Sequence, residues 1–242
     1  MSGPRAWFSD TGVIRSGPGT PSADTTPGSS ARSPSIPHPS APRDVSPGAA
    51  TPAHPLDDPA HWAAAMTPAG RFHLEPVSIE RDLRRITRWM NDPAVSAYWE
   101  LAGPPSITLA HVRRQLDGDG RSVPCLGLLD GRAMSYFEIY RADLDPLGRH
   151  YSARTDDTGI HVLIGSDSDR GRGLGSLLIR AVADLVLDHR PGCGRVLAEP
   201  DLRNTPSLAA FLAAGFRYSS EIDLPDKRAA LLVRDRGYRN QL

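Results

Sequence analysis

Lysine is almost missing from this chain: of its 28 basic residues only Lys227 is not an arginine. A nucleotide-hydrolase loop needs Gly-Lys-Ser/Thr at a helix start, so that class is excluded. Cysteine is nearly as scarce. Cys125 and Cys193 are too few for a disulfide framework or a cysteine-based zinc site, and both lie in or beside apolar runs, as inert core thiols do. No stretch of about 18 apolar residues exists, so no membrane span is expected. The N-terminus has no apolar signal core, and a cytoplasmic protein with no membrane partner is expected. Neither sign of charge is in excess, with 28 Lys+Arg against 28 Asp+Glu, which leaves no global field to hold nucleic acid. No spacing of His, Cys and Asp suggests a metal site, and no nucleophile–His–acid order supports a covalent intermediate.

Proline and glycine are plentiful, at 23 and 22 residues, and unevenly spread. Residues 1–66 are dominated by Pro, Ser, Ala, Thr and Gly, as in Ser33-Pro-Ser-Ile-Pro-His-Pro-Ser-Ala-Pro42. Such a stretch buries too little apolar area to offset its ordering entropy. A disordered tail over residues 1–66 and a folded domain over 67–242 are expected. Trp62 and its small apolar neighbours read as a brief helical turn leading into the domain.

From Arg71 the pattern changes. Arg71 to Val77 alternates as a strand. A helix starts after Ser78, carries the apolar stripe Leu83, Ile86, Trp89 and Met90, and stops at Asn91-Asp-Pro93. Ala94 to Leu101 reads as a short amphipathic turn, and Ser106 to Leu116 as a second helix. Two β-rich runs, Ser122 to Leu129 and Arg132 to Tyr140, flank Asp130-Gly131, the strongest hairpin signal in the chain. Beyond a polar loop comes a third β-rich run, Ile160 to Ile164. A loop of Gly, Ser, Asp and Arg then leads to a helix with Leu174, Leu177, Leu178, Ala181, Val182 and Leu185 at helical spacing. Arg195 to Ala198 reads as a buried strand. Asn204 starts a helix that Gly215 ends, and Phe216 to Leu224 with Ala229 to Val233 forms a closing antiparallel pair. The order predicts an α/β domain with a mixed sheet flanked by helices.

The strand–loop–helix unit from Thr158 to His189 is where chemistry enters. Gly171, Gly173 and Gly175 allow several backbone N–H groups to turn towards one point. The helix behind them adds unsatisfied amides and the positive end of its dipole. Such a loop suits an anion, phosphate above all. The dinucleotide fingerprint fails, because Leu178 stands where its third glycine belongs. What is left is Arg170-x-x-Gly173-x-Gly175, or an ordinary glycine-rich turn. A second pair comes from topology. His161 lies on the strand before the loop, and Glu199 ends the next strand in sequence. Parallel strands joined by a crossover helix lie side by side and bind ligands at their carboxyl ends, so the two residues can face one cleft.

The Arg170 loop resembles the Arg/Gln-x-x-Gly-x-Gly/Ala loop of the GCN5-related N-acetyltransferase (GNAT) superfamily, which holds the pyrophosphate of coenzyme A. The element order resembles that superfamily from about residue 70 to 236. The strings Trp89-Met-Asn-Asp-Pro93, Tyr98-Trp-Glu100, Tyr136-Phe-Glu-Ile-Tyr140, Gly159-Ile-His161, Glu199-Pro-Asp-Leu-Arg-Asn204 and Gly215-Phe216 resemble its siderophore-biosynthesis branch. Members of that branch acylate the terminal nitrogen of lysine, hydroxylysine or related diamines.

The resemblance implies a GNAT-like mixed, mostly antiparallel sheet and an N-acyltransferase activity. It implies an acyl-CoA co-substrate, acetyl or longer, or an acyl carrier protein as donor, and a small amine or hydroxylamine as acceptor. Donor binding falls on Ile164, Arg170, Gly171, Arg172, Gly173, Leu174, Gly175 and Asn204. In that branch the strand histidine contacts substrate and the acidic residue before Pro-Asp acts as base, roles that fall on His161 and Glu199. A lysine-type amine, with pKa near ~10.4, is protonated at pH 7 and needs such a base; a hydroxylamine nitrogen needs it less. Trp99, Glu138 and Tyr140 either line the substrate side or serve structure alone, and Asn204 either binds pantetheine or caps its helix. A general amine or antibiotic acetyltransferase and a non-catalytic coenzyme A-binding module are the alternative readings.

Overall fold

A computed structural model describes Leu56 and residues 58–240; residues 1–55 and 57 of the expected tail lie outside the described residues. Its last stretch is folded. Pro59–His61 forms a single 3₁₀ turn capped by Asp58, where the turn beside Trp62 is expected. The Trp62 ring is buried and stacks on His189 with centroids 5.5 Å apart. Strand β1 (Ala65–Thr67) pairs antiparallel with β2 (Gly70–Pro76). The boundary expected between residues 66 and 67 thus falls inside a hairpin, and Leu56 and Trp62 belong to the core.

The sheet has eight strands in the order β1-β2-β3-β4-β5-β6-β8-β7. The later ones are β3 (Ser122–Leu129), β4 (Arg132–Arg141), β5 (Thr158–Ile164), β6 (Arg195–Ala198), β7 (Arg217–Asp223) and β8 (Arg228–Asp235). All neighbours are antiparallel except β5 and β6. The β3–β4 turn has φ of 48° at Asp130 and 77° at Gly131, the positive values that a type I′ hairpin demands.

Period-two alternation sends the residues of β4 to two different layers. Phe137 and Ile139 join Phe72 and Ile160 under α4 (Leu174–His189) and α5 (Thr205–Ala213), whose Leu178, Val182 and Phe211 share that cluster. Tyr136 joins Leu126 and Leu163 under α1 (Ile79–Met90), α2 (Pro93–Trp99) and α3 (Pro105–Leu116). The stretch read as an amphipathic turn is the helix α2. Pro93 opens it, Asp92 caps it, and Glu100 stops it in the left-handed region at φ 53°. Cys125 and Cys193 are buried free thiols, and burial pushes both pKa values up. Among the described residues no helix is long and apolar enough to cross a membrane.

The feature that matters for function is a short parallel pairing. β5 and β6 are registered only at Thr158↔Val196 and Gly159↔Leu197. Pro200 has no N–H to extend a ladder, and its carbonyl accepts instead from Ala230 of β8 at 3.0 Å. The chain after β6 turns to β8, so β5 runs on from Ile160 to Ile164 with no β6 partner and a cleft opens between the two strands.

Candidate active site

Three residues of β4, Tyr136, Glu138 and Tyr140, share one face and stand opposite Leu163, His161 and Gly159 of β5. Cross-strand pairing therefore sets Glu138 against His161, and the His161 Nδ1 lies 3.0 Å from Glu138 Oε2. The other carboxylate oxygen faces inward. Glu138 Oε1 accepts the Tyr136 hydroxyl at 2.8 Å and the Gln115 amide at 2.6 Å, and lies 2.5 Å from His111 Nε2. Ser122 in turn donates to Gln115 Oε1 at 2.7 Å. Glu138 is therefore a buried anchor behind His161.

Glu199 approaches from the far side of the cleft. It follows β6, is 4% exposed, and its Oε1 lies 2.6 Å from His161 Nε2. Its Oε2 accepts the Tyr140 hydroxyl at 2.7 Å, and the Lys227 ammonium is 3.6 Å from Oε1. The Tyr140 ring tilts over the His161 ring, 4.7 Å between centroids. Trp99 meets the same imidazole edge-on at 6.1 Å.

Burial is the largest single influence on all three ionisable groups, and it favours their neutral forms. Neighbouring charges and hydrogen bonds outweigh it. Glu199 and Glu138 raise the His161 imidazole from 6.5 to about 10. His161 and Lys227 lower Glu199 from 4.5 to about 2. His111 and His161 hold Glu138 well below the usual carboxylate range. At neutral pH the centre is an imidazolium held between two carboxylates.

Two clefts meet beside this centre. One is lined by Trp99, Glu138, His161, Glu199, Phe211 and Lys227 among others. A larger one runs past Ile164, Gly171, Gly173, Gly175 and the α5 residues Ala209 and Ala210. Tyr98, Trp99, Val162, Asn204 and Ser207 line both. The Arg170 loop lies at the larger cleft. Gly171 and Gly173 adopt φ of 69° and 76°, and a Cβ at either would meet nothing within 4 Å. Gly173 is the N-cap of α4, with no side chain capping the helix, so the first-turn amides face the open end.

These features coincide with a known family. Residues 78–224 match the family model described as an acetyltransferase (GNAT) domain. The chain belongs to the GNAT family. It is 37% identical over 162 residues to N(6)-hydroxylysine O-acetyltransferase of Escherichia coli, a match covering 67% of this chain and 50% of that protein. To lysine N-acyltransferase MbtK of Mycobacterium sp. (strain MCS) it is 34% identical over 160 residues, 66% of this chain and 65% of that one. The chain thus spans half the length of the first relative and just under two thirds of the second. The solved structure of an uncharacterized protein from Bacillus halodurans has a TM-score of 0.71 at 27% identity, covering 76% of this chain and 95% of that one. Aminoglycoside acetyltransferase AAC(6')-Ib in complex with coenzyme A, at 22% identity, TM-score 0.63, and coverage of 71% and 99%, shares the fold.

In the GNAT frame the expected site residues divide into three groups. His161, Glu199, Glu138, Tyr140 and Trp99 come together around one imidazole. Ile164, Arg170, Gly171, Gly173, Gly175 and Asn204 line the larger cleft, while Arg172 is exposed beside it and Leu174 packs on the core. Two residues are occupied with structure. The Arg170 guanidinium donates to the carbonyls of Ile164 and Gly165 at 3.0 and 3.1 Å and to Asp92 at 3.0 Å, bracing the loop. Asn204 caps α5 by accepting from Ser207 N at 3.2 Å. Sequence reasoning missed His111, Gln115 and Lys227. The signal for the first two was a pair of polar residues one turn apart on the buried face of α3, in line with Thr108 and Val112. For Lys227 it was rarity itself.

Proposed function

We propose that this chain is an N-acyltransferase moving an acyl group, acetyl or longer, from acyl-CoA to the terminal nitrogen of lysine, N6-hydroxylysine or a related diamine in siderophore biosynthesis. The observation that carries the reading is His161 held between Glu138 and Glu199 where the two clefts meet. The relatives, a hydroxylysine acetyltransferase and a lysine N-acyltransferase, support the acceptor class. The enzyme works in the cytoplasm, and an acyl carrier protein is the second candidate donor. The catalytic domain starts near residue 55, ahead of the boundary that composition suggests.

The residues present fit coenzyme A. Open space at the Cβ positions of Gly171 and Gly173 lets the loop backbone come close to a pyrophosphate, and the alanines of α5 leave room for an extended pantetheine arm. When bound, the donor supplies an activated thioester carbonyl. Glu199 accepts the proton that the acceptor nitrogen sheds as the C–N bond forms and the C–S bond breaks. The leaving sulfur takes that proton from Glu199 and departs as the thiol. His161, fixed at both nitrogens, holds Glu199 in place and contacts the acceptor, and Trp99 and Tyr140 wall the acceptor side. Free-thiol release from acetyl-CoA with N6-hydroxylysine, lysine, N5-hydroxyornithine and N-hydroxycadaverine tests the reading. Glu199→Gln, which keeps size but not basicity, should lower turnover by about 10²–10⁴ with donor affinity retained. No thiol release above buffer with any acceptor would overturn the proposal.

A further inference from the structure

Glu138 gathers three partners on one oxygen. Its Oε1 receives the Tyr136 hydroxyl at 2.8 Å and the Gln115 amide at 2.6 Å, and stands 2.5 Å from His111 Nε2. Two of these groups come from α3, where Thr108, His111 and Gln115 are all buried. Each is held in the orientation it needs. Ser122 donates to Gln115 Oε1 at 2.7 Å, which turns the amide nitrogen to the carboxylate. His111 Nδ1 is buried and has no hydrogen-bond partner among the described residues. A lone proton there would be an unpaired buried donor, so the ring carries its proton on Nε2, facing Glu138. His111 borders the smaller cleft, but its one hydrogen-bonded nitrogen is committed to Glu138. With Oε1 occupied, Glu138 presents Oε2 to His161 Nδ1 at 3.0 Å, and His161 Nε2 lies 2.6 Å from Glu199 Oε1.

We infer that His111 and Gln115 are positioning residues of this enzyme: from α3 they fix Glu138, and through Glu138 they hold the His161 ring charged and aimed at Glu199. The inference deepens the N-acyltransferase reading above and rests on it. Donors to a carboxylate favour its charged form, and burial opposes it. Without the α3 donors Glu138 moves towards the neutral acid, and His161 loses one of the two negative charges that keep it an imidazolium. Its Nδ1–H also loses a fixed acceptor, so the ring can turn away from Glu199. Glu199 then has no set orientation as it takes the acceptor's proton. The other ionisable groups that face this centre are Tyr136 and Tyr140 from β4, Asp145 from the loop after β4, Glu199 after β6 and Lys227 from the β7–β8 turn. A substitution on α3 leaves each of them in place.

The test follows the ring ¹⁵N shifts of His161 through the alkaline range in the full chain. The wild-type midpoint should lie at about 10. In His111→Leu and in Gln115→Met it should fall by roughly one to two pH units, the worth of a hydrogen bond to a charged group. Ser122→Ala, the mildest change, frees the Gln115 amide and should move it the same way by less. With acetyl-CoA and N6-hydroxylysine at pH 7, His111→Leu should lower kcat about tenfold or more and leave KM for the donor unchanged. His111→Gln, whose amide nitrogen can stand where Nε2 stood, should restore most of both readouts. Added to Glu138→Gln, His111→Leu should cost nothing further, because its effect passes through that carboxylate. If the midpoint moves as stated but the wild type acylates no acceptor, the acyltransferase reading falls and the positioning of His161 stands. A midpoint unmoved in both His111→Leu and Gln115→Met, or a double variant whose loss is the product of the two single losses, would overturn the inference.

Discussion

At His161 one ring carries two opposing demands. Burial asks for a neutral imidazole, but a carboxylate at each nitrogen asks for the cation, and two nearby negative charges outweigh the desolvation of one positive charge. The pH consequence can be worked through in sign. His161, raised from 6.5 to about 10, adds stability that is complete below pH 6.5 and is lost as pH rises through about 10. Glu199, lowered from 4.5 to about 2, adds stability present above pH 4.5 and lost as pH falls through about 2. Both contributions are complete between pH 4.5 and 6.5. The Tm margin of wild type over His161→Gln should be greatest in that window and shrink towards pH 10. Ring ¹⁵N shifts should report an imidazolium at pH 8, and a neutral ring there would dissolve the ion pair on which the site is built.

Strands β4 and β5 act as one device, because Glu138 on one stands directly across from His161 on the other. The device depends on a residue with no side chain. Gly159 stands opposite Tyr140, and a Cβ built there would lie 2.1 Å from the tyrosine ring. Gly159→Ala should push the Tyr140 hydroxyl off Glu199 and cut turnover about tenfold or more, leaving coenzyme A affinity unchanged, as calorimetry would show. Wild-type turnover in that variant would mean that the Tyr140–Glu199 bond does not matter. The α4 entrance makes the opposite prediction. Gly173 sits at φ 76° with open space around it, so Gly173→Val adds backbone strain of roughly 1–2 kcal/mol and a side chain where phosphate would approach. Coenzyme A affinity should fall while the circular dichroism spectrum is kept; an unchanged affinity would remove the loop from the donor site.

On the scale of the molecule, the folded unit begins earlier than composition suggests. Leu56 donates its amide to Gly120 O at 3.1 Å, and Ala63 N donates to His189 Nε2 at 3.3 Å. These bonds seal the buried Trp62 against the end of α4. Truncating a buried tryptophan costs roughly 3–5 kcal/mol. A chain starting at Met66 should therefore melt about 6–20 °C below one starting at Pro55. Equal melting temperatures by scanning calorimetry would show that this segment adds nothing to the domain.

The sequence alone determined what depends on neighbours in the chain. Most strands and helices followed from period and caps, though not β1 or the helix α2, Asp130-Gly131 from the φ values its turn demands, and the α4 entrance from glycines at fixed offsets. It also allowed His161 and Glu199 to face one cleft, since a parallel crossover sets its two strands side by side. Only the tertiary structure decided what stands behind and above them. His111 and Gln115 reach Glu138 from a helix more than twenty residues away, and Lys227 reaches Glu199 from a hairpin beyond α5. The helical turn at Trp62 was legible locally, but its burial was not, because its partner His189 lies at the far end of α4. The charge state of the site belongs to the same class, since a pKa is set by whatever packs within a few ångströms, and that is decided by contacts distant in sequence.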